Sequence, residues 1–142
     1  MEGRGGLKQF ALKIVTPDGL RYEGPAEEVT VRTTTGDLGI MAGHISCVAP
    51  LGMGQTTLLL DGQRRYGACI GGMVSVMNNV VTIVATTFEW ADQIDQDRAK
   101  RSEELARSLI QDKSTDSAQL RLAEARLKRA LIRQNVAGRK GR

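Results

Sequence analysis

A β-sandwich, or flattened barrel, over about residues 1–88, followed by an antiparallel two-helix hairpin over 89–142, is the fold this sequence predicts. Three observations carry it. Short β-rich runs recur about every ten residues with tight-turn chemistry between them. The β-branched runs then stop near Phe88, and alanine and leucine continue at helical spacing. A polar break, Asp112-Lys113-Ser114-Thr115, divides that second half into two helices. The class is mainly β plus α, with no Pro/Gly linker at the boundary.

The strands follow in order. Residues 7–15 alternate apolar and polar side chains (Leu7, Phe10, Leu12, Ile14), as a half-buried strand does. Pro17-Asp18-Gly19 is a turn, and Leu20 and Tyr22 begin the return strand. Glu28–Thr33 is rich in β-branched residues. Gly36, Gly39 and Gly43 then punctuate the stretch that ends at His44, and read as corners between sheets. A phosphate cradle is the other use of such glycines, but the spacing fits neither familiar phosphate-loop pattern and no helical run follows. Residues 45–50 and 55–60 read as separate strands around a tight place at Gly52-Met53-Gly54. Asp61-Gly62 and Asn78-Asn79 are two-residue hairpin turns.

In the helical half, Ala99, Leu105, Ala106, Leu109 and Ile110 mark a first helix over Asp95–Gln111. Asp116 with Gln119 three residues on caps a second helix that runs to about Asn135, where Gly138 and Gly141 end it. Leu120, Ala123, Leu127, Ala130 and Leu131 form its apolar stripe, with Arg126, Arg129 and Arg133 on the opposite side. So small a stripe makes the hairpin marginal alone, which is what a conformational switch requires. The tail Gly138-Arg139-Lys140-Gly141-Arg142 reads as disordered.

Composition narrows function. Of 142 residues, 41% are hydrophobic and only 4% aromatic, so the core is built from Val, Ile, Leu and Met. No apolar run approaches the roughly 20 residues of a membrane helix, and the opening residues do not read as a secretory or organelle-targeting segment. The expected location is the cytosol or the cytosolic face of a membrane complex. Cys47 and Cys69 sit in apolar segments without metal-type spacing and read as reduced, buried thiols. His44, the only histidine, reads as a turn residue. No nucleophile–base ordering or metal cluster is visible, so an enzyme is not expected. Residues 1–92 hold 7 Lys+Arg against 9 Asp+Glu, a net of −2; residues 93–142 hold 13 against 7, a net of +6. An acidic partner therefore belongs to the helices. Nucleic acid is set aside, because stacking aromatics are missing from the basic helix.

Three motifs carry a family resemblance. Gly36-x-x-Gly39-Ile40-x-x-Gly43-His44, Gly71-Gly72-Met73-Val74-Ser75-Val76 and Ile94-Asp95-Gln96-Asp97-Arg98-Ala99 stand in the order and spacing of the epsilon subunit of F-type ATP synthases. The chain resembles that family from about Leu7 to about Gln134, departing from it at Ala42 and Ser46, where the family usually has proline. The resemblance implies a ten-strand type of sandwich and a place in the central stalk, bound to the gamma subunit and resting on the ring of membrane subunits. It implies a peripheral location on the cytoplasmic side of a bacterial inner membrane. The basic helix would meet an acidic loop of the catalytic beta subunit, within the alpha–beta assembly, through Arg126, Lys128, Arg129 and Arg133, and restrain ATP hydrolysis. No cofactor is required. Some members bind ATP, and by position the residues would be Glu89, Asp95, Arg98, Arg129 and Arg133. Taken alone, Asp95 and Arg98 read as a helix start. Met41 and Met53 are expected as exposed apolar contacts for neighbouring subunits. The rival reading is a stand-alone ATP-sensing β-sandwich protein.

Overall fold

The computed structural model describes residues 8–139; Leu7, Lys140, Gly141 and Arg142 of the readings above lie outside them. The strands are β1 (Phe10–Thr16), β2 (Gly19–Ala26), β3 (Glu28–Thr33), β4 (Gly36–Met41), β5 (Cys47–Leu60), β6 (Gln63–Met77) and β7 (Val80–Trp90). They form one sheet in the order β2-β1-β7-β6-β5-β3-β4, antiparallel except where β1 runs parallel to β7. After a short 3-10 turn, Ala91–Gln93, come the helices α1 (Gln96–Gln111) and α2 (Ser117–Ala137).

The sheet becomes a sandwich by creasing. In β5 the core side is taken by Cys47, Ala49 and Leu51, then by Leu58 and Leu60, so the facing residues change parity. In β6 it passes from Cys69 to Val74 and Val76, and in β7 from Val81, Ile83 and Ala85 to Phe88 and Trp90. Because alternate strand residues face opposite ways, each strand has taken in an extra residue. These insertions are neighbours. Leu51 and Ala85 both pair with Gly72, while Met53 and Thr87 both pair with Ile70. The crease thus crosses three strands in a line and folds one sheet into two layers around one core, and it brings edge strand β2 against β5.

The expectation of ten strands is corrected here. Among the described residues there are seven, because β5, β6 and β7 run unbroken through both layers. Gly71 and Gly72 make the crease possible, with φ of +75° and +126°. A Cβ on Gly72 would sit 2.1 Å from the Val84 carbonyl oxygen. The turn readings hold: Asp61, Gly62, Asn78 and Asn79 all have the positive φ of tight hairpins. Gly36 and Gly43 mark the turns flanking β4, whereas Gly39 lies within the strand. Both cysteines are free; Cys69 is buried, and burial pushes its thiol up to about 11, which leaves it unreactive at neutral pH. His44 is half-buried, with Nδ1 2.8 Å from the Ile45 carbonyl oxygen.

Met41 is 55% exposed as expected, but Met53 is not. It is half-buried in the groove under α2. The helices sit on the outer side of the first part of β6, whose alternate residues Tyr66 and Ala68 face away from the sandwich core. Those two, with Ala91 and Ile94, receive Val136, Ala137 and Ile132 of α2.

Gly72→Ala combines an unfavourable φ with a backbone clash. It should destabilise the chain by about 2–4 kcal/mol, seen as a lower urea midpoint. An unchanged midpoint would mean that the crease does not need glycine.

Candidate functional site

Both helices start as the sequence says. Asp95 caps α1, its Oδ1 accepting from the Arg98 amide at 3.0 Å, and Asp116 caps α2 through the Gln119 amide at 2.8 Å. The turn between them is closed by Asp112, which accepts from the Ser114 amide and hydroxyl; these bonds hold its carboxyl below the usual range. Thr115 Oγ1 adds a hydrogen bond to the Leu109 carbonyl at 2.8 Å.

The contact between the helices is made of small residues. Ala99 and Ala106 of α1 and Ala123 and Ala130 of α2 are buried. None of the leucines expected to share the work is fully buried: Leu109, Leu120 and Leu127 are half-buried, and Leu105 and Leu131 are exposed. A buried methyl contributes about 0.8 kcal/mol where a buried leucine contributes about 1.5–3. The hairpin is therefore held weakly by apolar contact, in agreement with its predicted marginality.

Alanine packing leaves a cleft of about 550 Å³ where α1, α2 and the end of β7 meet. Glu89, Asp95, Arg98, Arg129 and Arg133, the five residues named as candidates for ATP, all line it. Arg133 Nε donates to Glu89 Oε1 at 2.6 Å, so helix α2 is tied to strand β7 across the cleft. Arg126, Gln93 and Ser102 complete its polar wall. Four guanidiniums thus face two carboxylates, an excess of positive charge suited to a polyanion.

The four residues proposed for an acidic loop do not share a surface. Arg126, Arg129 and Arg133 border the interhelical cleft, flanking Ala130 rather than lying opposite the apolar stripe. Lys128 lines a different groove, between α2 and the β3–β4 turn.

One charged group escaped sequence reasoning altogether. Glu103 of α1 is 8% exposed and bonded on both oxygens. Gln134 Nε2 of α2 donates to Oε1 at 2.9 Å, Arg107 Nε donates to Oε2 at 2.8 Å, and Lys100 Nζ lies 3.5 Å from Oε1. The Lys100, Glu103 and Arg107 spacing of three and four was the available signal; the partner on α2 had none.

Fold and site together define a class: a β-sandwich protein whose C-terminal helical hairpin closes a basic cleft against the sandwich. Residues 9–91 match the family model described as ATP synthase, Delta/Epsilon chain, beta-sandwich domain. The chain is 42% identical over 132 residues to the ATP synthase epsilon chain of Bacillus velezensis, covering 93% of this chain and 99% of that one. It is 44% identical over 133 residues to the epsilon chain of Bacillus subtilis, covering 94% and 100%. Among solved structures, a chain in the mitochondrial ATP synthase of Euglena gracilis, resolved with OSCP, F1 and c-ring, matches with a TM-score of 0.75 at 27% identity. That match covers 84% of this chain and 76% of the other. The chain belongs to the ATP synthase epsilon-chain family. A chain in the central stalk and c-ring of the Tetrahymena thermophila enzyme, at 14% identity and a TM-score of 0.59, shares the fold over 92% of this chain and 97% of its own.

Hydrogen bonds from Gln134 and Arg107, with the charges of Lys100 and Arg107, hold the Glu103 carboxyl down at about 2 from its ordinary 4.5. The folded form binds this proton less readily than the unfolded form, so the stabilisation is complete above about 4.5 and drains away as pH falls toward 2. Acidification through that window should loosen the helices, read by far-UV circular dichroism, and Glu103→Gln should flatten the loss. Identical acid profiles for the two proteins would contradict the assignment.

Proposed function

We propose that this chain is a non-catalytic central-stalk subunit of an ion-driven ATP synthase, coupling the gamma subunit to the membrane ring and restraining ATP hydrolysis through its helices. Family membership supports the setting, as does the Euglena relative resolved with F1 and c-ring. No helix among the described residues is long and apolar enough to cross a membrane, which agrees with a peripheral position; the cytoplasmic side of a bacterial inner membrane is the proposed one.

The observation that carries the coupling role is an apolar outer face on one layer of the sandwich. Met73 pairs with Val84, and Met77 with Val80, all four exposed. Val48, one strand over, and Met41 and Ile45 nearby in sequence extend the exposed apolar set. An apolar face of this kind fits permanent partners, here gamma and the ring. The creased body behind it is stiff enough to pass on torque.

The regulatory role draws on the weak interhelical contact. Folded against the sandwich, the helices permit rotation. Released, they carry Arg126, Arg129 and Arg133, with Lys128 on another side of α2, to an acidic loop of a catalytic beta subunit, beside alpha, and block hydrolysis. ATP is the proposed regulatory ligand of the cleft, with Arg98, Arg129 and Arg133 on its phosphates and Glu89 and Asp95 accepting from its amino and hydroxyl groups. Binding would exchange the Glu89 bond to Arg133 for one to phosphate. ATP favours the folded state only by its differential affinity for that state.

Removing the residues after Asp92 should leave the complex assembled and raise its ATPase rate severalfold; an unchanged rate would remove the inhibitory role. Met73→Asp should weaken capture of gamma by tenfold or more, since a central interface residue is worth about 2 kcal/mol or more. Equal capture by the variant would move the interface elsewhere.

A further inference from the structure

We propose that Glu103 is the latch of the hairpin: its carboxylate, gripping Gln134 across the helix interface, holds α2 against α1 whether or not an anion occupies the cleft beside it. The bond that ties α2 to β7, between Arg133 and Glu89, lies inside the cleft and is open to competition by a bound phosphate. The Glu103 bonds are outside it. Glu103 and Gln134 do not line the cleft, and the Glu103 side chain is only 10% exposed. Its remaining oxygen is taken by Arg107, so the carboxylate is oriented before Gln134 arrives. Gln134 is oriented as well, for its amide nitrogen also donates to the Ala130 carbonyl at 3.3 Å.

The setting gives this contact unusual weight. The facing residues Ala99, Ala106, Ala123 and Ala130 offer little shape to fix one rotation of α2 against α1. A directional bond to a charged, screened acceptor fixes it, and such bonds are worth more than neutral ones. The helices therefore rest closed in the absence of nucleotide, and an anion in the cleft adds to a state already populated. The regulatory meaning of the latch rests on the proposed inhibitory role; its existence does not.

The test is amide hydrogen exchange followed by mass spectrometry on the full chain, without nucleotide, at neutral pH. Glu103→Ala, Gln134→Ala and the double variant are compared with the parent. Alanine is the better helix former at both positions, so a merely local helical role predicts slower exchange in the variants. The latch predicts the reverse, with amides of α1 and α2 exchanging roughly tenfold faster while the sheet is unchanged. It also predicts that the double variant exchanges no faster than either single one. Unchanged or slower helix exchange overturns the proposal, as do effects of the two substitutions that multiply. Should Glu103→Ala fail to fold, Gln134→Ala alone gives the reading, since it removes the donor and leaves Glu103 with Arg107. An ATP titration of the parent that showed no binding would sink the nucleotide reading and leave the latch standing.

Discussion

The seat of α2 on the sheet is the contact on which the rest of the molecule depends. It is small: Val136, Ala137 and Ile132 against Tyr66, Ala68, Ala91 and Ile94, with the Arg139 guanidinium 5.6 Å from the Tyr66 ring centre. Three apolar side chains, two of them short, are all that this end of α2 buries there. Beyond the small alanine contact between the helices, what keeps them in place is polar: Arg133 on Glu89 and Gln134 on Glu103. Polar attachments are directional but exchangeable, since water can replace either partner and another anion can replace the carboxylate. The hairpin is thus specified in position without being held there by much.

The β body is the opposite case. Its core draws on every strand, and the crease through Gly72 locks two layers to each other by continuous backbone rather than by loops. At the end nearest the helices, Trp90 is packed edge-on by Phe88 and Tyr22, roofed by the Arg65 guanidinium at 3.8 Å, and bonded through its indole nitrogen to the Arg21 carbonyl. At the other end Asn79 ties three segments together, accepting from the Gly43 amide and donating to the Gln9 carbonyl while its own carbonyl takes the Ala11 amide. On the proposed function, a rigid body and a releasable appendage would divide force transmission from regulation.

Local signals in the sequence were legible and long-range ones were not. Asp61-Gly62, Asn78-Asn79, Asp95 and Asp116 were readable because each acts on its own backbone within three residues. The crease was misread as strand ends, since a residue that lets a strand change faces looks the same in sequence as one that stops it. The five cleft residues came from resemblance to relatives, not from periodicity, because Glu89 and Arg133 are 44 residues apart. Helical spacing counted Leu131 into the apolar stripe, yet only the alanines and the last turn of α2 are buried. The bond from Gln134 to Glu103 was invisible for the same reason: the two residues belong to different helices.

Whether the helices leave the body is decided most directly by a distance. Spin labels at Asp18→Cys, in the exposed β1–β2 turn, and Lys113→Cys, in the exposed interhelical turn, would report it in a chain whose Cys47 and Cys69 are replaced by alanine and which is assembled in its complex. The account predicts two distance populations, with the folded one growing as ATP is added. A single narrow distance, the same with and without nucleotide, would contradict it.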